Sequence, residues 1–202
     1  MKKLMMITAL LLVVAITGSS QAALINQSFE TGDLSNWVSS IPDGGYANVV
    51  TTYTSDLGNV YLPMDGSYFA ELKTDGPGSF TKIEQTGYFS AGDIIQGYAA
   101  FDAQDYVPYN DNAFVQIFDN TFNQLISVWT KNVSNVGDYG DSPWEYWSYA
   151  VAASGNYTAV FGVANQGDSI LDSRALFDYG VKVPEPSTLL LLGAGMVGLG
   201  FA

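Results

Sequence analysis

From residue 23 to residue 183 the chain is interrupted by turn-forming residues roughly every eight to twelve positions, and that spacing decides its fold class. Pro42-Asp43-Gly44-Gly45, Thr74-Asp75-Gly76-Pro77-Gly78 and Ser154-Gly155-Asn156 are such separators. The stretches between them are rich in Tyr, Phe, Val and Thr, residues that pack well on a pleated surface, and no sustained amphipathic helical pattern runs through them. The predicted strands are Leu24–Phe29, Tyr46–Tyr53, Ser67–Lys73, Phe80–Phe89, Ile94–Ala103, Ala113–Phe118, Leu125–Lys131, Glu145–Ala152, Tyr157–Ala164 and Arg174–Val183. Alternation within them is clear: Phe114, Gln116 and Phe118 point one way, Val115 and Ile117 the other. No repeat of solenoid or propeller length is present. The expected fold is all-β, a single antiparallel two-sheet jelly-roll sandwich.

Composition removes several kinds of chemistry. The 202 residues hold 20 Asp+Glu against 7 Lys+Arg, with no Cys and no His. So acidic a chain, without a basic stripe, has nothing to offer a polyphosphate, which excludes a nucleic-acid partner. Without Cys there is no disulfide, thiolate nucleophile or thiolate zinc site, and without His no Ser-His-Asp triad. Carboxylates, hard cations and aromatic contacts remain. A carboxylate glycosidase needs two facing acids in a cleft, and no local motif singles out a pair. The Gly-rich turns lack the Lys-Ser/Thr and the helix of a phosphate loop.

The two ends read as address labels. Residues 1–22 have the form of a signal peptide for the Sec pathway: Lys2 and Lys3, an apolar run from Leu4 to Ile16, and small residues leading to Ala22. Cleavage after Ala22 or after Ala23 fits the pattern. Residues 184–202 begin Pro184-Glu185-Pro186, which cannot continue a strand. A charge-free Leu/Gly run follows; as a helix, residues 188–202 would be about 22 Å long, against roughly 30 Å of bilayer hydrocarbon. Four Leu followed by frequent Gly make a poor soluble helix, and the better reading is a short membrane segment.

Val183-Pro184-Glu185-Pro186-Ser187-Thr188 ahead of that apolar run resembles the PEP-CTERM sorting signal of Gram-negative bacteria. The resemblance implies recognition by exosortase, a membrane protease, at Pro184, Glu185 and Pro186, and transient anchoring in the membrane by the C-terminal segment. The family pattern closes with an Arg-rich cluster, whereas these residues close with Gly200-Phe201-Ala202. Two readings stay open: the sequence stops short of the cluster, or retention at the membrane is weaker than in the family.

A second resemblance covers most of residues 23–183. Asn26-Gln27-Ser28-Phe29-Glu30-Thr31-Gly32 followed by Trp37 is similar to the opening of galactose-binding-like and carbohydrate-binding β-sandwich modules. Asp172-Ser173-Arg174-Ala175-Leu176-Phe177-Asp178 is similar to their closing strand. Gln27 stands where Gly is usual, and Tyr179-Gly180 where Asn-Val is common. The resemblance implies a structural Ca²⁺ tying Glu30 to Asp178, with Asp33 and Asp172 as supporting acids; the competing reading is that these acids cap backbone donors or are solvated. For a glycan the aromatic candidates are Tyr106 and Tyr109 in a Pro/Asn turn, and Trp144 and Tyr146 in the densest aromatic stretch. On a strand Trp144 and Tyr146 share one face and Trp147 and Tyr149 the other, so one pair packs in the core. The whole describes an exported, non-catalytic cell-surface or extracellular-matrix protein that associates with extracellular polysaccharide. A carboxylate-based hydrolase or lyase, and a purely structural surface protein, are the alternatives.

Overall fold

A computed structural model describes residues 24–180 apart from Pro77. The predicted signal peptide, the Pro184-Glu185-Pro186 motif and the C-terminal apolar helix lie outside the described residues. The described residues form twelve strands and one helical turn: β1 Val38–Ser40, β2 Tyr46–Val50, β3 Tyr53–Thr54, β4 Val60–Tyr61, β5 Phe69–Lys73, β6 Phe80–Phe89, β7 Ile94–Asp102, β8 Asn112–Asp119, β9 Gln124–Asn132, α1 Val133–Val136, β10 Glu145–Ala150, β11 Gly155–Ala164 and β12 Arg174–Asp178. Two five-stranded sheets face each other, one in the order β1-β6-β11-β8-β9 and the other β10-β7-β12-β5-β2, and every pairing is antiparallel. The expected all-β sandwich is the observed architecture.

Alternation puts the core between the sheets. On β8, Ala113, Val115 and Ile117 are buried, while Asn112, Gln116 and Phe118 on the other face are partly exposed. The same holds for Thr81, Ile83 and Gln85 on β6 and for Tyr157, Ala159 and Phe161 on β11. A chain of rings spans the core. Phe29 stacks on Trp37 at 5.4 Å, Trp37 meets Phe161 at 5.0 Å, Phe161 stacks on Phe177 of the opposite sheet at 4.9 Å, and Phe177 meets Trp129 edge-on at 6.4 Å. Trp147 also packs edge-on against Phe161, so of the Trp144–Tyr149 stretch it is Trp147 and Tyr149 that turn inward.

Several elements differ from the sequence expectation, which included neither β1 nor the helical turn α1. Leu24–Phe29 is not a strand, because Asn26 and Phe29 adopt left-handed backbone (φ 52° and 58°) that no ladder accommodates. The segment is instead closed on itself: Asn26 donates to the carbonyls of Asp33 and Ser35 and accepts from Thr31 N–H, and Trp37 Nε1 donates to Asn26 O. The amide of buried Gln85 supplies the missing sheet partner, accepting from Ile25 N–H and donating to Ile25 O. The last strand ends at Asp178. The short β3–β4 hairpin lies over the outer face of the second sheet, where Tyr53, Tyr61 and Trp144 cover Phe69, Ala100 and Leu176 in a small second core.

Candidate functional site

The outer face of the first sheet carries a groove of about 790 Å³. Its floor is built by three adjacent strands: Phe80, Lys82, Glu84 and Thr86 from β6, Val160 and Thr158 from β11, and Asn112, Phe114, Gln116 and Phe118 from β8. These are the outward positions of the same alternation that fills the core. A strand of this pattern has apolar residues on both faces, so the outward phenylalanines are surplus to the sandwich. Gly162 on β11 lies directly opposite Phe114, and a Cβ at 162 would collide with the tip of the Phe114 ring. The glycine lets that ring lie down on the sheet. Phe80, 46% exposed, meets it edge-on at 5.5 Å.

Uncharged polar groups surround the rings. Thr86 and Thr158 share a hydrogen bond at 2.7 Å, and Asn120 Nδ2 donates to Thr158 Oγ1 at 3.0 Å. The side-chain amides of Asn112 and Gln116 are spent on no partner among the described residues. Lys82 and Glu84 pair at 3.0 Å, leaving the groove without net charge. Among the described residues the other cations are paired as well: Lys73 with Asp172, Lys131 with Glu145 and Arg174 with Glu71. Apolar rings bordered by unspent amides and hydroxyls suit a polyhydroxylated chain, whose C–H faces stack on rings while its hydroxyls bond to amides.

Glu30 and Asp178, the residues read for calcium, both grip one loop. Asp178 is buried, and its Oδ2 accepts from Met64 N–H at 2.6 Å and Asp65 N–H at 3.0 Å, its Oδ1 from Tyr179 N–H at 2.7 Å. Glu30 Oε1 accepts from Ser67 N–H and Tyr68 N–H, both at 2.9 Å. Gly66 sits between them at φ 66°, and a Cβ there would collide with the Glu30 carboxylate. Backbone N–H groups thus occupy Glu30 Oε1 and both oxygens of Asp178, as the reading of these acids as caps of backbone donors expects, while Glu30 Oε2 accepts from no donor among the described residues. No group of three or more acidic side chains able to hold a metal occurs among the described residues. Burial pushes the Asp178 carboxyl up to about 7, against the pull of its three backbone N–H bonds. Asp33 Oδ1 instead accepts from Ser35 N–H and Thr31 Oγ1, and Asp172 pairs with Lys73 at 2.7 Å.

The aromatic candidates fall in two places. Tyr106 and Tyr109, in the β7–β8 loop, meet edge-on at 5.4 Å, and Tyr106 lies 5.7 Å from Tyr139. Trp144 and Tyr146 lie across the sandwich on the outer face of the second sheet. Trp144 Nε1 donates to Leu62 O at 3.0 Å and its ring meets Phe69 edge-on, while Tyr146 hydrogen-bonds Gln96 and contacts the Tyr98 ring. Sequence reading missed Phe80, Phe114, Gln116 and Thr158 as a site, although the outward Phe114-x-Gln116-x-Phe118 alternation was its visible trace.

Residues 182–202 match the family model described as the PEP-CTERM protein-sorting motif. The chain carries a PEP-CTERM sorting signal. That motif marks an exported protein with a C-terminal sorting and anchoring segment. Among solved structures the chain is similar to TmCBM61 in complex with β-1,4-galactotriose, at 18% identity over 79% of this chain and 96% of that one, with a TM-score of 0.50. It is also similar to the CBM22-1 xylan-binding domain of Paenibacillus barcinonensis Xyn10C, at 11% identity over 76% and 88%, with a TM-score of 0.43. A third is the enzymatically active domain of bacteriophage CBA120 tailspike protein 4, at 16% identity over 79% of this chain and 21% of that one, with a TM-score of 0.47. The fold is that of a carbohydrate-binding-module β-sandwich. No curated protein matches the chain. No helix among the described residues is long and apolar enough to cross a membrane.

Proposed function

We propose that this PEP-CTERM protein is exported through the Sec pathway, anchored in the membrane by its C-terminal segment until an exosortase-type protease acts at Pro184-Glu185-Pro186, and then holds extracellular polysaccharide at the cell surface or in the matrix without cleaving it. The observation that carries the binding reading is the Phe114 ring laid over Gly162 in a neutral groove, flanked by Phe80 and the unspent amides of Asn112 and Gln116. The non-catalytic reading is supported by the acid content of the groove. Among the described residues Glu84 is the one carboxylate lining it, and it is paired with Lys82, whereas glycoside hydrolysis uses two facing carboxyl groups.

Affinity electrophoresis of the full chain in gels containing galactan, xylan or mixed-linkage β-glucan tests the binding. Retardation by at least one polymer is expected, and it falls several-fold in Phe80→Ala and Gln116→Ala, whose melting temperatures stay near that of the parent. Retardation unchanged in both variants, or absent from every gel, refutes the groove as the site.

A further inference from the structure

A second hollow, of about 460 Å³, opens beyond one end of the groove. Pro108, Asn110, Asn112, Asn132, Gln166 and Gly167 line it, and Asn112 lines the groove as well. The two depressions therefore meet at one side chain. Among the described residues no charged one lines the hollow. Asn110 Oδ1 is committed to Ser134, accepting from its N–H at 2.9 Å and its hydroxyl at 3.0 Å, and Asn132 Oδ1 accepts from Asn135 N–H at 3.0 Å. Those bonds fix two of the amides by their oxygens and leave their NH₂ groups unspent. The side-chain amides of Gln166 and Asn112 have no partner at all among the described residues. Tyr109 lies against Gly167, one of the lining residues, so closely that a Cβ there would be 3.1 Å from its ring. Behind it stand Tyr106 and Tyr139, the first 37% and the second 46% exposed.

Fixed amide donors beside exposed tyrosine rings repeat, with different residues, the chemistry of the groove. The geometry points to the hollow as an extension subsite: it takes the next sugar units of the same uncharged glycan chain that the groove holds, with Gln166 and Asn110 bonding hydroxyls and Tyr109 against a ring face. The inference rests on the groove reading, and it makes the protein a reader of chain length. A short oligosaccharide fills the groove alone, whereas a longer one passes Asn112 and enters the hollow.

Titration calorimetry of the full chain with linear galacto-, xylo- and gluco-oligosaccharides, from disaccharide to octasaccharide, tests this. In the parent protein affinity climbs with length in two stages. Gln166→Ala, which removes an exposed side chain that makes no hydrogen bond among the described residues, and Tyr109→Ala each lower affinity for the longer oligomers about fivefold, roughly one hydrogen bond or ring contact, and leave the shorter ones within twofold. Phe80→Ala lowers affinity at every length. Should Gln166→Ala bind all lengths as the parent does, or weaken all lengths equally, the extension is wrong while the groove stands. Should Phe80→Ala bind normally and Gln166→Ala weakly, the hollow is a site of its own and both the groove reading and the extension fall. Absence of binding by every oligosaccharide and by the three polymers above refutes both.

Discussion

Asp178→Asn is the sharpest test of how this sandwich closes, because the substitution changes charge with almost no change of shape. The Asp178 carboxylate, 2% exposed, takes backbone N–H groups from Met64, Asp65 and Tyr179. Asparagine keeps one acceptor oxygen and turns an NH₂ toward at least one of those donors; an orphaned buried donor costs about 1–3 kcal/mol. The pH dependence is the more specific signature. Burial raises the folded-state carboxyl to about 7, above its ordinary value of 3.8. Between those values the folded chain holds a proton that the unfolded chain has released. The associated stability is therefore complete below about pH 4 and lost as pH rises through 7. From pH 5 to pH 8 that one group removes about 2–3 kcal/mol. For a domain of this size the loss corresponds to a fall in melting temperature of about 5–10 °C. Asp111, raised to about 6, and Asp102, also raised by burial, act in the same direction but cancel when parent and variant are compared. Thermal unfolding followed by circular dichroism at pH 5, 6.5 and 8 should show the parent losing stability with rising pH more steeply than Asp178→Asn by that margin. Parallel profiles, or a parent that gains stability between pH 5 and pH 8, would refute the reasoning.

Other expectations follow from the same geometry. Gly66→Ala places a Cβ against the Glu30 carboxylate at a φ of 66°, and should lower the denaturation midpoint by an amount equivalent to about 1–3 kcal/mol. If the backbone N–H groups on Glu30 Oε1 and on both Asp178 oxygens are what these acids serve, millimolar Ca²⁺ or EDTA should leave the melting temperature within about 1 °C; a larger rise with Ca²⁺, abolished by Glu30→Gln, would place the cation here. Gly162→Val should lift Phe114 off the sheet and weaken polysaccharide retardation at least as much as Phe80→Ala does, with the far-ultraviolet spectrum unchanged. Intact-mass analysis of protein isolated from the native host should find residues 1–22 and the segment from 187 onward missing, and finding both present counts against the sorting reading.

The fold was legible because the chain states it twice, once through turn spacing and once through alternation. Nine of the ten predicted strands are present, and Val115 and Ile117 do face the core. The errors came where local preference was overruled from a distance. Leu24–Phe29 has strand composition, but its backbone partner is the side chain of Gln85, 60 residues away, and the left-handed turns at Asn26 and Phe29 follow from bonds to Asp33, Ser35 and Trp37. The groove was hidden for a related reason. Periodicity reports that Phe114, Gln116 and Phe118 share a face, not what stands beside them. Phe80, Phe114 and Gly162 become neighbours only through the register that pairs Phe80 with Ala164 and Gly162 with Phe114. Local density of aromatics is the opposite kind of signal. It drew notice to Trp144-Glu145-Tyr146-Trp147, where one tryptophan completes the main core and the other covers the hairpin side of the second sheet. A ring close to others in sequence is therefore poor grounds for a surface site in a sandwich. The better sign is an outward ring on a strand whose inward face is already apolar, set opposite a glycine on the neighbouring strand, because that combination places an aromatic side chain outside the main core and clears the backbone beneath it.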